Sequence, residues 1–120
     1  MKNIIEVFKN KKVLITGHTG FKGSWLCKLL LEFGSKVSGI SLEAEKISLY
    51  NLLKLDGEVE SHICDIRKLE NIKEINPDII FHLAAQPLVI ESYNNPLYTF
   101  ETNIMGTINI LEAIRKLNNL

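Results

Sequence analysis

The stretch ITGHTGFKG, residues 15–23, constrains this chain more than any other. It spaces Gly17, Gly20 and Gly23 evenly, directly after a short apolar run at residues 12–16. Each glycine answers a separate physical demand. Gly17 permits a tight turn that a side chain would block. Gly20 lets backbone approach a pyrophosphate closely, and Gly23 lets the next helix pack tightly on the strand. The helix N-terminus then offers unpaired N–H groups and partial positive charge to phosphates. Lys22 either adds a charge there or points to solvent. The spacing alone also occurs in turns that bind nothing; the strand before it and the helix after it supply the confirming context. No Lys-Ser/Thr follows the last glycine, so this is not a P-loop.

The run at 12–16 is too short for a helix and suits a buried parallel strand. Residues 21–33 switch to helical spacing, with Phe21, Trp25 and Leu29 on one face and Leu26, Leu30 and Phe33 beside them. Gly34 reads as a helix stop. Residues 37–41 form a second strand, completing a right-handed βαβ unit. A short helix falls in KISLYNLLKL, a third strand at 59–64, and a helix at 67–75 stopped by Asn76 and Pro77. Ile79, Ile80, Phe81 and Leu83 make a fourth strand. A loop with Pro87 and Asn94-Asn95-Pro96 follows, then one long helix at 97–117.

Alternating strands and helices predict an α/β, Rossmann-like, doubly wound parallel sheet of about four strands, order 3-2-1-4. Ligands in such sheets lie at the carboxyl ends of the strands, beside the switch point between strands one and four. The loops at 17–23, 41–43, 65–66 and 84–87 are therefore expected to share one crevice.

The end of strand two normally carries an acid for the ribose hydroxyls. Here Ser41 stands in that place and Glu43 two positions on. Glu43 can reach a ribose, and its charge opposes a 2′-phosphate. With Lys46 the only nearby cation, NAD is favoured over NADP. Asp65 has two compatible readings, an acceptor for the adenine amino group or an N-cap; the Ile66 backbone would read the ring edge. In HLAAQPLV, Ala84 and Ala85 are small enough to let backbone skirt a flat ring. Gln86 can donate and accept near the reacting end of a cofactor, and His82 reads as a satisfied core histidine. Thr102 and Asn103 either face the crevice or form a polar helix face. Gly106 costs its helix about 1 kcal/mol relative to alanine, which implies close packing against another element.

Composition excludes several classes. Fourteen basic residues balance fourteen acidic ones among 120, giving no electrostatic case for a nucleic-acid or anionic membrane partner. No apolar run approaches a membrane span, and the polar start is no signal peptide. Cys27 and Cys64 lack metal or disulfide spacing and read as small buried residues in a reducing cytoplasm. The three histidines have no ligand spacing, so no metal is expected.

TGHTGFKG, DIR, HLAAQPLV and ETNIMGT together resemble the extended short-chain dehydrogenase/reductase superfamily, in its nucleotide-sugar-modifying branch. The resemblance covers essentially the whole chain. The phrases GHTGFKGSWL and HLAAQPLV are most similar to nucleotide-sugar 4,6-dehydratases of the CDP-glucose type. The resemblance implies a tightly held NAD, oxidation of the sugar at C4, loss of the C5 proton, departure of water from C6 and return of hydride to C6. It implies cofactor contacts at Gly17, Gly20, Phe21, Lys22, Gly23, Asp65, Ile66, Leu83, Ala84, Ala85, Gln86 and Thr102. Ser41 departs from it, since many relatives carry Asp there.

The same resemblance implies a catalytic tyrosine with a lysine four residues later, on a helix after a fifth strand. Residues 1–120 are therefore expected to be the N-terminal portion of an NAD-binding Rossmann domain. The catalytic and substrate-binding portion is expected to lie outside them, and this chain to be inactive alone. Tyr50 and Lys54 match the YxxxK spacing but follow strand two, on the adenine side of the crevice, and are rejected as catalytic. An open fourth-strand edge and an unpartnered last helix predict marginal stability and self-association into a homo-oligomer. The alternatives are a stand-alone NAD-binding or regulatory module, or part of a nucleotide-sugar epimerase or reductase.

Overall fold

The computed structural model describes residues 3–69 and 72–117. In chain order the elements are α1 (Ile4–Phe8), β1 (Lys12–Thr16), α2 (Phe21–Glu32), β2 (Lys36–Ser41), α3 (Leu49–Leu52) and β3 (Glu60–Ile63). A 3-10 turn (Ile66–Lys68), β4 (Ile79–His82), α4 (Val89–Asn94), α5 (Pro96–Phe100), a π-helical turn (Glu101–Met105) and α6 (Gly106–Arg115) complete them.

The four strands form one parallel sheet in the order β3-β2-β1-β4, as expected. Strand β1 is central and covered on both faces, which is why its residues from Val13 to Thr16 are all buried. Its side chains alternate between two cores. Val13 and Ile15 join Cys27, Leu30, Val37, Tyr50, Leu55 and Val59 on one face. Leu14 joins Ile40, Ile66, Ile72 and Leu117 on the other. Each such side chain contributes about 1.5–3 kcal/mol on burial.

Helix α2 ends as expected at Gly34, whose φ is +80°. Ser35 N–H donates to the Leu30 carbonyl and Gly34 N–H to that of Leu31, both at 3.0 Å, the two bonds of a Schellman stop. The buried face of α2 is not the large apolar stripe. Phe21, Trp25 and Leu29 are exposed, while Gly23, Ser24, Cys27 and Leu30 face the sheet, because a helix packed this close admits mainly small residues.

Several local expectations are corrected. The helix at 67–75 shrinks to the turn Ile66–Lys68 among the described residues, with residues 70 and 71 of that stretch outside them. Asn76, the expected stop, does take a left-handed φ of +45°, as at a helix end, but it follows only a turn at 73–75. The loop before Pro96 contains α4, and α1 is an element the sequence pattern did not suggest. The long helix starts one residue early, at Pro96, with the Asn95 side chain accepting from Tyr98 N–H as its cap. It is then interrupted by the π turn. Cys27 is buried, which pushes its thiol up to about 12, but Cys64 is half-exposed rather than buried.

Candidate functional site

The glycine loop connects β1 to α2 and is held from three directions. Gly17 has φ +77°, and its N–H donates to the Ile40 carbonyl at 2.8 Å, tying the loop to β2. A Cβ on Gly17 would stand 2.9 Å from the Ala84 backbone nitrogen, so the exit of β4 presses directly on it. A Cβ on Gly23 would stand 2.1 Å from the Gly17 carbonyl oxygen. Gly20 differs. A Cβ there would meet only the Gly17 carbonyl oxygen, at 3.3 Å, within a 4 Å radius. Space is thus open in front of Gly20, where α2 begins with no side-chain cap. First-turn amides of a helix have no intrahelical acceptors, so this end of α2 suits an anion. Phe21 and Lys22 are exposed beside it. Ser24, one turn in, donates instead to the carbonyls of Gly20 at 2.6 Å and His18 at 3.1 Å, pinning the loop to the helix.

His18 is wholly buried beneath this loop. Its ring occupies the space a side chain on Gly39 would take, since a Cβ there would stand 2.1 Å from His18 Cγ. His18 Nε2 bonds Ser61 Oγ at 2.7 Å, and the ring meets the edge of Tyr50 at 5.5 Å. Burial pulls its pKa down to about 4, so the ring is neutral near pH 7. Sequence reasoning assigned His18 no role. The readable signal was Gly39, an isolated glycine inside a strand, which marks a close approach.

At the end of β2, Thr19 Oγ1 lies 2.7 Å from Ser41 Oγ and donates to the Leu42 carbonyl at 3.0 Å, while Glu43 is exposed. At the end of β3, Asp65 caps the 3-10 turn by accepting from Arg67 N–H at 2.9 Å. The Arg67 guanidinium grips the same carboxylate at 2.7 Å, reaches Glu101 at 3.4 Å and lies 4.8 Å over the Tyr98 ring. The hydrogen bonds from Arg67 hold the Asp65 carboxyl below its ordinary range. Ile66 is buried under Gly106, where an added Cβ would stand 2.5 Å from Ile66 Cδ1; this is the close packing the helix glycine implied. Asn109 Nδ2 donates to the Ile66 and Arg67 carbonyls at 2.8 and 3.2 Å, a support that sequence reasoning missed.

The loop leaving β4 is stitched by side chains. Leu83 and Ala84 N–H groups both donate to Thr16 Oγ1 at 3.1 Å. With its lone pairs taken, the Thr16 hydroxyl donates to His82 Nδ1 at 2.6 Å. The remaining His82 proton is therefore on Nε2, which donates to Thr107 Oγ1 at 3.0 Å; Thr107 passes its own proton to the Asn103 carbonyl at 2.7 Å. Burial lowers the His82 pKa, consistent with this neutral tautomer. Gln86 and Asn103 exchange two bonds, Gln86 N–H to Asn103 Oδ1 at 2.8 Å and Asn103 Nδ2 to the Gln86 carbonyl at 3.2 Å. The Gln86 side chain is buried and engaged with Leu88 and Thr99. Leu83 and Ala85 are exposed. Thr102 is buried in the π turn, and its hydroxyl has no hydrogen-bond partner.

The structure thus brings the glycine loop against Ser41 through Thr19 and against Ala84 through Gly17. Ile66 packs under Gly106 at the start of α6, and Thr102 lies in the π turn just before it. Tyr50 is buried against His18, and Lys54 sits past the end of α3 with φ +52°, so the two share no exposed helical face.

Residues 14–120 match the family described as GDP-mannose 4,6 dehydratase. The chain belongs to that family. Among curated members, this dehydratase-family chain is 46% identical over 118 residues to a CDP-glucose 4,6-dehydratase of Salmonella typhimurium, covering 94% of the chain and 33% of that protein. It is 40% identical over 119 residues to a GDP-mannose 4,6-dehydratase of Yersinia enterocolitica, covering 88% and 31%. A UDP-glucose-4-epimerase from Stenotrophomonas maltophila, solved with bound NAD and formylated UDP-arabinopyranose, superposes with a TM-score of 0.75 at 28% identity, covering 88% and 34%. The chain spans about a third of the length of the curated relatives it matches. Among the described residues no helix is long and apolar enough to cross a membrane.

Proposed function

We propose that this chain is the N-terminal, NAD-binding portion of a nucleotide-sugar 4,6-dehydratase acting on CDP-glucose, and that it performs no chemistry alone. The observation that carries the reading is the open space before Gly20 at an uncapped helix N-terminus, inside a loop that Gly17 and Gly23 leave no room to change. Backbone of residues 20–23 would hold the pyrophosphate, the β2 end the adenosine ribose, Asp65 and Ile66 the adenine, and backbone of residues 83–86 with Thr102 the nicotinamide half. The orphaned Thr102 hydroxyl is a buried polar atom still in need of a partner. NAD, when bound, supplies reversible hydride acceptance. The chain's own residues hold, orient and dry that group. The identity to a CDP-glucose 4,6-dehydratase supports the sugar nucleotide.

Calorimetric titration of the folded chain with NAD is the test. Binding that Gly20→Val abolishes while the fold persists is the expected outcome; no heat from a folded sample overturns the cofactor reading. CDP-glucose offered to the complete protein tests the substrate, with loss of water as the expected product signature. Inversion without loss of water would instead favour the epimerase reading that the Stenotrophomonas neighbour suggests.

A homo-oligomer is part of the proposal. Phe100, Ile104, Ile108 and Leu111 are exposed along α5 to α6, and β4 is a sheet edge; sedimentation equilibrium of the complete protein reads the state. Two unpaired cysteines support a reducing cytoplasmic setting.

A further inference from the structure

A glycine inside a strand marks a close approach, and the surroundings of Gly39 show what approaches. Ile15, Gly39 and Ser61 stand in one row across β1, β2 and β3. Paired residues of neighbouring strands point to the same face, here the one where Ile15 packs with Cys27 and Tyr50. The middle place in the row has no side chain of its own. The His18 ring fills it, since a Cβ on Gly39 would fall among its Cγ, Nδ1 and Cδ2 atoms. From there Nε2 reaches Ser61 Oγ at 2.7 Å, and Tyr50 of α3 meets the ring edge-on at 5.5 Å. The side chain of a loop residue thus crosses β2 and ends on β3, the edge strand.

We propose that His18 is a positioning residue for the pyrophosphate, a staple through which Gly39 and Ser61 fix the loop whose amides receive it. This rests on the dinucleotide reading of that loop. Gly39 and Ser61 are each set back two residues from the ends of their strands, so they act through the ring. His18 lies between Gly17, whose N–H is tied to the Ile40 carbonyl at 2.8 Å, and the open place at Gly20. Its own carbonyl takes the Ser24 hydroxyl at 3.1 Å, which binds the loop to α2. Ring and carbonyl therefore hold one residue from two sides, two positions ahead of Gly20. Backbone amides cannot re-aim by changing rotamer, so their affinity for an anion depends on where the loop is held beforehand.

Titrating the chain with NAD by calorimetry and with adenosine by NMR shift separates the pyrophosphate from the base and ribose. Ser61→Ala leaves His18 Nε2 without its bond. NAD affinity should fall by about 3- to 10-fold while adenosine affinity holds. Ser61→Thr keeps the hydroxyl at a larger volume and should bind NAD as wild type does, which identifies the bond rather than packing as the cause. Gly39→Ala sets a carbon on the ring and should cut NAD affinity by more than about tenfold. In a His18→Ala background, where no ring is left to displace, the same change should add nothing to the effect of His18→Ala alone. Equal loss of NAD and adenosine affinity, or unchanged NAD affinity in folded Ser61→Ala, overturns the positioning role while the dinucleotide reading stands. A folded wild-type chain that binds no NAD overturns that reading and the staple's role with it.

Discussion

The loop between β1 and α2 is shaped by missing atoms, whereas the loop leaving β4 is shaped by side chains that reach back to it. Around Gly17 and Gly23 the backbone is confined by carbonyls and amides standing where Cβ atoms would be. Around residues 83–88 the backbone would be free without Thr16, Asn103 and the Gln86 side chain. The first is a steric solution that tolerates no added atom. The second is a hydrogen-bond solution whose loss is graded, because each bond contributes about 0.5–1.5 kcal/mol net. A rigid glycine loop and a softer loop after β4 would follow from that difference.

The largest expected effect attacks the steric side. Gly23→Ala places a carbon on the Gly17 carbonyl, which is backbone with no rotamer to adjust. Stability should fall by about 3 kcal/mol or more in urea unfolding; a benign substitution would break the comparison. Next comes pH, through the buried wedge under the same loop. His18 binds a proton at about 4 in the folded chain and near its ordinary value when unfolded. The unfolded state therefore takes up protons first. Stability is fully present above about pH 6.5 and is lost as pH falls toward about 4, by on the order of 3 kcal/mol. His18→Gln should flatten most of that slope.

On the hydrogen-bonded side, Thr16→Val leaves the Ala84 amide and His82 Nδ1 without their partner, while Leu83 N–H keeps the Thr16 carbonyl at 3.1 Å. We expect a loss of about 1–2 kcal/mol and faster amide exchange at Ala84, with Gly17 and Gly20 amides unchanged. If the glycine loop loosens equally, the two sides are one unit. The smallest effect is Gly106→Ala. Its helical gain of about 1 kcal/mol is offset by contact with the Ile66 terminal methyl, so the net change should stay within about 1 kcal/mol. In an Ile66→Ala background, where both Cδ1 and the Cγ1 at 2.8 Å are gone, the same change should turn clearly stabilising.

The comparison also explains what the sequence could and could not disclose. Steric demands leave glycines at regular spacing and buried strands leave apolar runs, so the strands, their order, the Gly34 stop and the tight glycine loop were all readable. The bonds that hold the β4 side leave no such trace. Asn103 reaches 17 residues back to Gln86, and Asn109 reaches 43 back to Ile66, so no local pattern could pair them. The apolar stripe of Phe21, Trp25 and Leu29 had the right helical period, but period does not say which face meets the sheet. The expectation at 67–75, of which the described residues show only the turn Ile66–Lys68, fails for another reason: Asp65 caps a turn of three residues as well as it would a longer helix, and Arg67 is drawn off to Asp65, Glu101 and Tyr98.

The π turn at Glu101–Met105 makes α5 and α6 run out of phase with each other. Each α-helical residue advances the chain by about 100°, so one residue accommodated in a wider turn resets the compass bearing of everything after it. Gly106 over Ile66, Asn109 on the two carbonyls and Ile110 in the core all depend on that bearing. Deleting one residue within 101–105 would permit an unbroken α-helix with all three contacts kept on target, whereas forcing all five into regular α-winding would swing them off by about 100°. The turn acts as a vernier: a local change in winding that aligns one half of a helix with the crevice and the other half with the sheet.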